Sequence, residues 1–204
     1  MKILLIGGSG AIGQGLVPLL KEKYEVISCN SVEFPLPLIT DFESDFEIVI
    51  NLAATSFLNP LYKYHVLNKS AIEVNCFGAV NILAKFLPGM RERHYGRIIM
   101  MSSVCSEINL VEHGVYSASK AFVDKLVKIA AIENAHYGIT VNSIQLGYTG
   151  IGMGESTHEN MERAKNKSAM KRFCRIEEIC RTIDFIIETE YLTGQNIRLD
   201  GGIK

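Results

Sequence analysis

The stretch Gly7-Gly8-Ser9-Gly10-Ala11-Ile12-Gly13 decides the fold because of what lies on either side of it. The short apolar run Lys2 to Ile6 comes before it and predicts a buried strand, while residues 12 to 23 carry a helical period. The stretch contains G-x-G-x-x-G between a strand and a helix, which is the context of a dinucleotide-binding turn. Glycines let the backbone approach a pyrophosphate, and the helix N-terminus presents free N–H groups to it. A glycine turn that only packs strand on helix is the alternative, and no G-K-[ST] follows that would indicate a Walker loop.

Strands and helices alternate along the rest of the chain. Apolar runs and helical periods predict strands at 24–29, 46–51, 97–102, 139–145 and 195–199, and helices at roughly 64–93, 115–136 and 176–188. This order predicts an α/β fold of the Rossmann type, in which a doubly wound parallel sheet lies between two helical layers. No repeat, low-complexity tract or linker divides the 204 residues. We therefore expect residues 1–204 to form a single domain.

The segment 31–45 is too short for the connection that it has to make. It contains Pro35 and Pro37 and no helical period, yet it must lead from one parallel strand to the next. A crossover usually takes a dozen or more residues, and about 15 extended residues reach at most about 50 Å, enough for one return along the sheet. An additional edge strand with two helices does not fit, so we predict a sheet that is trimmed here.

Composition and charge exclude several classes of protein. The formal net charge is −1 and basic residues are scattered, so we expect no nucleic-acid partner. Five cysteines without a C-x-x-C pair predict ordinary thiols in a reducing compartment and no metal site. We find no signal peptide and no stretch of about 20 apolar residues, so we expect a cytoplasmic protein with no membrane partner.

Tyr116-Ser117-Ala118-Ser119-Lys120 lies on a predicted helix. Positions i and i+4 share a face, so the phenol and the ammonium group are expected in one site. A cation beside a phenol favours phenolate and turns it into a usable acid or base. By itself the Y-x-x-x-K pattern is weak evidence, because an exposed pair on a helix surface has the same spacing.

The order of the motifs resembles the short-chain dehydrogenase/reductase family from end to end, in the branch of the 3-oxoacyl-carrier-protein reductases. Ser103 stands thirteen residues before Tyr116, which is the family's spacing. Seven motifs occur in family order: the glycine stretch, Asn51-Leu52-Ala53-Ala54, Val74-Asn75-Cys76-Phe77-Gly78, Arg97 to Ser103, Tyr116 to Lys120, Val141 to Gly147, and the run from Arg172 to Gly202.

The resemblance implies an NAD(P)(H)-dependent oxidoreductase that reduces a carbonyl to an alcohol. It implies that Tyr116 exchanges a proton with the substrate oxygen and that Lys120 lowers the pKa of Tyr116 and binds the nicotinamide ribose. It further implies that Ser103 polarises the carbonyl and that Asn75 holds a water of a proton relay. The implied cofactor-binding residues are Gly7, Ser9, Gly10, Ala11, Ile12, Gly13, Asn30, Ser31, Asn51, Ala53, Tyr116, Lys120, Gly147 and Thr149.

The sequence departs from the family pattern at several places. Asn30 and Ser31 align with the acidic residue of NAD-preferring members and the arginine of NADP-preferring members. Because no carboxylate repels a 2′-phosphate, we expect a slight preference for NADP(H) over NAD(H). Leu146 and Ile151 replace the family's proline and threonine near the carboxamide. The trimmed segment implies that the family's usual third, edge strand is missing, which gives the sheet order 2-1-4-5-6-7 in the family's numbering.

Two other functions remain open from the sequence. A sugar-nucleotide-modifying relative would share the glycine stretch, and a non-catalytic dinucleotide-sensing regulator would share the fold. The substrate, a small carbonyl compound or alcohol, cannot be read from the gate over the site, which we expect at 148–171. His113 and Glu107 are more typical of a solvated loop than of a substrate contact. The family's two-fold interface predicts a homodimer or homotetramer built on apolar residues of two helices: Ile72, Val80, Ile82, Leu83, Phe122, Leu126 and Ile129.

Overall fold

The computed structural model describes residues 1–30, 45–63, 67–151 and 158–203. The strands are β1 (Lys2–Ile6), β2 (Glu25–Cys29), β3 (Ile48–Asn51), β4 (Gly96–Ser103), β5 (Ile139–Leu146) and β6 (Asn196–Leu199). The helices are α1 (Ala11–Lys21), α2 (Leu67–Ala71), α3 (Gly78–Arg93), α4 (Gly114–Asn134), α5 (His158–Lys167) and α6 (Ile176–Glu188). Every strand predicted from an apolar run is present in the structure within two residues of its expected ends.

The six strands form one parallel sheet in the order β2-β1-β3-β4-β5-β6. This confirms the predicted α/β class, and the order of the described strands is the predicted one. The chain reverses direction across the sheet after β2 and returns through β3, beside β1. In such a sheet ligands bind outside the carboxyl ends of the strands, at the point where the order reverses. The fold therefore places a candidate site beyond the ends of β1, β3 and β4.

Helices cover both faces of the sheet, because alternate strand residues contribute to two separate apolar cores. One core joins the sheet to α3 and α4, with Ile82, Phe86 and Val127 fully buried. The other joins it to α1 and α6, with Leu16 and Ile183 fully buried. At about 25 cal/mol per Å² of apolar surface, this burial is the main force that holds the three layers together.

The long helix predicted at 64–93 is not uniform. Residues 72–77 form a turn of π-helix between α2 and α3, so the hydrogen-bond ladder widens around Asn75. Pro88 lies inside α3, one and a half turns before its end at Arg93, which is the end predicted from the sequence. Such π-helical turns frequently occur at functional sites.

The gate segment contains a helix that the sequence analysis missed. We expected a glycine-rich loop at 148–171, but α5 spans ten of these residues. Ser168, just after α5, pairs antiparallel with Ile203 near the C-terminal end of the chain. The gate is therefore tied to the segment that follows β6.

Residues 31–44 lie outside the described residues, so the irregular connection predicted for them stays a prediction. The same holds for any strand beside β2 in that segment. Within the described part of the chain, β2 is the edge of the sheet.

One helical stretch, Lys69–Arg93, is long and apolar enough to cross a membrane by length and composition alone. We had expected no such stretch from the sequence. Its apolar side chains Ala79, Ile82, Phe86 and Met90 are buried against the sheet. Packing in the core explains its apolar character, because the core helix of a soluble protein has the same composition.

Candidate active site

A cleft with an empty volume of about 930 Å³, the open mouth included, lies beyond the carboxyl ends of β1, β3, β4 and β5. Ser103, Tyr116 and Lys120 all line it, so the structure brings together three of the four predicted catalytic side chains. Most of the remaining wall is apolar and includes Leu52, Met101, Leu146 and Phe173. An apolar wall strengthens electrostatic interactions among the few polar groups inside it.

Ser103 ends β4 and starts the turn of 3₁₀-helix at Val104–Ser106. Its Oγ accepts a hydrogen bond from the Cys105 N–H at 3.2 Å, and its side chain also hydrogen-bonds Tyr116. Since the Cys105 N–H occupies a lone pair of Oγ, the hydroxyl hydrogen stays available for an acceptor in the cleft. Ser103 is thus oriented to donate toward the place where Tyr116 points.

Burial raises the pKa of Tyr116 to about 12, and the hydrogen bond with Ser103 opposes part of this rise. The expected lowering by Lys120 does not dominate here. The Lys120 Nζ atom lies 5.8 Å from the centroid of the Tyr116 ring, and the low-polarity surroundings penalise the phenolate. Near neutral pH, Tyr116 therefore carries its proton and can donate it.

Lys120 lies one turn after Tyr116 on α4 and is 2% exposed. Its Nζ donates to the carbonyl oxygen of Met101 on β4 at 2.8 Å. Burial lowers the pKa of Lys120 from 10.5 to about 8, and the charge of Asp124 is the largest influence that opposes this. The ammonium group is thus mostly charged at neutral pH, because its pKa lies about one unit above 7.

Asn75 lies in the π-helical turn and clamps two other segments. Its Nδ2 donates to the Thr55 carbonyl and to the Ser119 Oγ, each at 2.9 Å, and its Oδ1 accepts from the Thr55 N–H at 2.9 Å. Both amide hydrogens are therefore used within the protein. A relay water at this side chain could be held only through the remaining lone pair of Oδ1.

The glycine stretch forms a tight turn before α1 that leaves no room for side chains at Gly7 and Gly13. Gly7 has φ +88°, and a Cβ there would lie 2.9 Å from the Ala53 backbone nitrogen. A Cβ on Gly13 would lie 2.6 Å from the Gly7 carbonyl oxygen, so only glycine permits this packing. Gly10 is the N-cap of α1 and makes no side-chain cap, which leaves the first-turn N–H groups of α1 open to an anion. Exposed around this opening are Ser9, Gly10 and Ala11, while Ile12 lines the cleft.

The turn after β3 contributes differently from the expectation. Asn51 and Ala53 are buried, and the Asn51 Oδ1 accepts the Ala53 N–H at 3.0 Å. Leu52 and Ala54 line the cleft instead. Asn51 thus shapes the turn that packs against Gly7.

The far wall of the cleft follows β5. Gly147 and Thr149 both line it, as predicted for the nicotinamide side. The Gly147 N–H donates to the Leu199 carbonyl at 3.0 Å, and the Thr149 Oγ1 donates to the Ile151 carbonyl at 3.0 Å. Thr149 is therefore held by its own turn. Asn30 follows directly after β2, whereas Ser31 lies outside the described residues.

The residues between Ser103 and Tyr116 divide into two groups. His113 lines the cleft, although we expected a solvated loop. Glu107 does not line it and accepts a hydrogen bond from the Gln145 Nε2 at 2.9 Å. Cys105 lines the cleft and was missed, because nothing in its spacing indicates a site.

A buried polar cluster behind Lys120 was also missed. It consists of Asp124 on α4 with Ser143 and Gln145 on β5. The sequence does contain a sign of this cluster, since Ser143 and Gln145 are polar whereas Ile139 and Val141, on the same face of β5, are apolar. The hydrophobic pattern of the helix did not show that Asp124 faces them.

The fold and the cleft define a class: an α/β dinucleotide-binding protein with a tyrosine, a lysine and a serine at the end of a parallel sheet. A family model described as enoyl-(acyl carrier protein) reductase matches residues 40–204. The chain is 27% identical to an acetoacetyl-CoA reductase of Synechocystis over 98% of this chain and 94% of the relative. It is 30% identical to an acetoacetyl-CoA reductase of Allochromatium vinosum over 81% of this chain and 69% of the relative. The chain belongs to the short-chain dehydrogenase/reductase family and is an NAD(P)-dependent oxidoreductase.

Solved structures show the same fold. A 3-oxoacyl-[acyl-carrier protein] reductase from Brucella melitensis superposes with a TM-score of 0.89 at 20% identity, covering 99% of this chain and 90% of the other. A gluconate 5-dehydrogenase from Burkholderia cenocepacia, in complex with NADP and tartrate, superposes with a TM-score of 0.87 at 20% identity. The superposition covers 98% of this chain and 93% of the other.

Proposed function

We propose that this chain reduces the carbonyl group of a small-molecule substrate to an alcohol, using Ser103, Tyr116 and Lys120. The observation that carries the proposal is the convergence of these three side chains in one apolar cleft, with Tyr116 protonated and hydrogen-bonded to Ser103. Gly7 to Gly13 with the N-terminus of α1, and Gly147 at the end of β5, would hold a nicotinamide dinucleotide, which would supply the hydride.

Each residue has a distinct role in this proposal. Ser103 exchanges its hydrogen bond with Tyr116 for one in which its hydroxyl donates to the substrate oxygen, and it holds the carbonyl beside Tyr116. Tyr116 gives its proton to that oxygen as negative charge develops there, which makes it the general acid. Lys120 places a positive charge next to the phenolate that remains. Asn75 holds the backbone of Thr55 and the side chain of Ser119, the residue before Lys120.

We propose NADP(H) as the preferred cofactor. The support is the absence of an acidic side chain at Asn30, directly after β2, where a carboxylate would repel a 2′-phosphate. The related solved dehydrogenase in complex with NADP points the same way.

We propose 3-oxoacyl compounds as the first substrate class. Lys120 is the one lysine or arginine that lines the described cleft, and no Asp or Glu of the described residues lines it. A substrate with an apolar group next to its ketone could pack that group against this apolar wall. Two relatives bear the name acetoacetyl-CoA reductase.

The test is a set of NADPH-oxidation assays with acetoacetyl-CoA, ethyl acetoacetate and a sugar ketone. We expect turnover of the two 3-oxoacyl compounds and a loss of 10²-fold or more in Tyr116→Phe, because the variant loses only the acidic hydroxyl. NADPH affinity should stay nearly unchanged, since the ring still packs. A variant that keeps more than about a tenth of the rate would refute the role of Tyr116.

We also propose a homo-oligomer built on α3 and α4. Val80, Phe122 and Ile129 are between 36% and 42% exposed, and Phe77 is 59% exposed. Ile82 and Leu83, which we had included in the interface, are buried in the core and cannot take part. A symmetric dimer or tetramer would cover the exposed apolar face. Light scattering at micromolar concentration should therefore give a multiple of the chain mass, and a monomer would contradict the proposal.

A further inference from the structure

Asp124 lies on α4 one turn after Lys120 and two turns after Tyr116. This spacing places the three side chains on one helix face. Asp124 is 6% exposed and Lys120 is 2% exposed, so two charged groups of opposite sign are buried on successive turns. A carboxylate at such a place is costly unless other groups stabilise its charge.

Neutral groups fix the Asp124 carboxylate. Ser143 lies within hydrogen-bond distance of Oδ1 at 2.9 Å, and the Gln145 Nε2 donates to Oδ2 at 2.8 Å. Within the described ranges, no basic side chain comes within 4 Å of the Asp124 oxygens in an ion pair. The hydrogen bonds thus hold the carboxylate in place without neutralising it, and its field extends to the next turn of the helix.

Few groups near Lys120 can stabilise its positive charge. Around it lie Tyr116 and Asp124 from α4, the Met101 carbonyl from β4, Cys105 from the following turn and Cys76 from the π-helical turn. Burial lowers the pKa of Lys120, and Asp124 acts against this more strongly than either cysteine. Asp124 is the carboxyl group among them, and it lies on the next turn of the same helix.

We propose that Asp124 is a positioning residue for the reaction: its buried charge, fixed by Ser143 and Gln145, keeps Lys120 charged in the cleft. The inference rests on the proposed function for the role of Lys120, and it adds a residue that touches neither substrate nor cofactor. It also gives Ser143 and Gln145 a function, since they hydrogen-bond the buried side chain of Asp124.

The first experiment is a pH profile of kcat/KM with NADPH and ethyl acetoacetate for the wild type and Asp124→Asn. The rate of the wild type should fall as Lys120 loses its proton near pH 8. In Asp124→Asn the fall of kcat/KM on the alkaline side of the profile, its alkaline limb, should begin at a pH about one unit lower or more. At pH 9 the variant should therefore be about tenfold slower than the wild type, whereas at pH 6 the two rates should agree within about threefold.

Ser143→Ala is the matched control, because it removes a hydrogen bond from the same carboxylate and changes no charge. Its alkaline limb should stay within about 0.3 pH units of the wild type. A uniform loss of rate at every pH in Asp124→Asn, or an unmoved limb, would show a merely structural residue and overturn the proposal.

A second readout needs no substrate. Between about pH 8 and 10.5 the unfolded chain binds a proton at Lys120 that the folded chain has lost, so Lys120 contributes a rise with pH to the free energy of unfolding. The buried thiols and Tyr116, whose pKa values are raised, contribute a fall in the same window, so the contribution of Lys120 is measured as the difference between the wild type and Lys120→Met. Between Asp124→Asn and the double variant Asp124→Asn/Lys120→Met, the onset of this difference should lie about one unit lower. An unchanged onset in Asp124→Asn overturns the inference. If the wild type binds NADPH and reduces no ketone, the proposed function fails, while the unfolding profile still decides on Asp124.

Discussion

Two cations are buried at opposite ends of the sheet, and their surroundings differ. Arg97, at the amino end of β4, is 3% exposed, and its guanidinium donates to the carbonyls of Gly96 and Gly138 at 3.0 Å and of Ile187 at 3.4 Å. It also lies 3.6 Å from the Glu190 carboxylate and 4.4 Å from the centre of the Tyr95 ring. Lys120, at the carboxyl end, has one carbonyl partner and faces an open cleft.

This difference separates a structural cation from a reactive one. Arginine stays charged inside proteins and offers five N–H donors. The hydrogen bonds of Arg97 to Gly138 and Ile187 therefore join the amino end of β4 to two other segments of the chain. Lysine shifts its pKa readily when buried, so leaving Lys120 under-satisfied keeps its charge adjustable. The sheet is thus held together at one end and prepared for chemistry at the other.

The largest effect should come from Lys120→Met. We expect kcat/KM to fall by about 10²-fold or more and NADPH binding to weaken, because the variant removes the charge beside Tyr116. Stability at pH 7 should not fall. A pKa lowered from 10.5 to about 8 corresponds to about 3 kcal/mol of burial cost, partly offset by the unpaired Met101 carbonyl. Thermal melting at pH 7 measures the stability of Lys120→Met. A melting temperature lowered by more than about 5 °C would show that Lys120, like Arg97, stabilises the fold.

Arg97→Met should show the opposite profile. The buried carbonyls of Gly96 and Ile187 and the more exposed carbonyl of Gly138 lose their donor, so we expect the free energy of unfolding to fall by about 3 kcal/mol, while kcat/KM of the folded enzyme changes by less than about twofold. Urea unfolding and the ketone assay measure the two quantities. The matched control is Lys128→Met on the exposed side of α4, which should stay within about 0.5 kcal/mol of the wild type. A kinetic defect in Arg97→Met would mean that the two ends of the sheet are coupled.

The smallest effect concerns the cofactor at the reactive end. We expect NADPH and NADH to differ in Kd by less than about tenfold, because Asn30 and Ser31 supply neither a repelling acid nor a binding arginine. Fluorescence titration of both dinucleotides measures the ratio. A preference far beyond tenfold would mean that another residue reads the 2′ position.

The sequence predicted the parts of the molecule that follow from apolar periodicity and glycine chemistry. The strands of the sheet, the helix bearing Tyr116 and Lys120, and the turn at Gly7 to Gly13 were all placed correctly within two residues. In each case one local pattern carries the information: a buried apolar run, a helical period, or a backbone approach that only glycine allows.

Features that depend on contacts between distant segments could not be predicted. Helix α5 has the sequence H-E-N-M-E-R-A-K-N-K, in which only Met161 and Ala164 are apolar, so no periodic stripe marks it. The burial of Asp124 follows from Ser143 and Gln145 on the facing strand, and a charged residue on a helix normally indicates a solvated position. The high pKa of Tyr116 likewise depends on the walls of the cleft and not on the Y-x-x-x-K spacing.

The π-helical turn at Ile72–Phe77 has a consequence for insertions and deletions in this chain. Its i→i+5 ladder holds one more residue per turn than an α-helix, which turns by about 100° per residue. Deleting one residue there would close the wide turn into a regular helix, while α2 and α3 would keep nearly the same relative rotation because the wide turn takes up the extra residue. The side chains within the turn would be redistributed, so Asn75 would lose its contacts with Thr55 and Ser119. The length of this turn therefore determines the contacts of Asn75, whereas the packing of the two flanking helices does not depend on it.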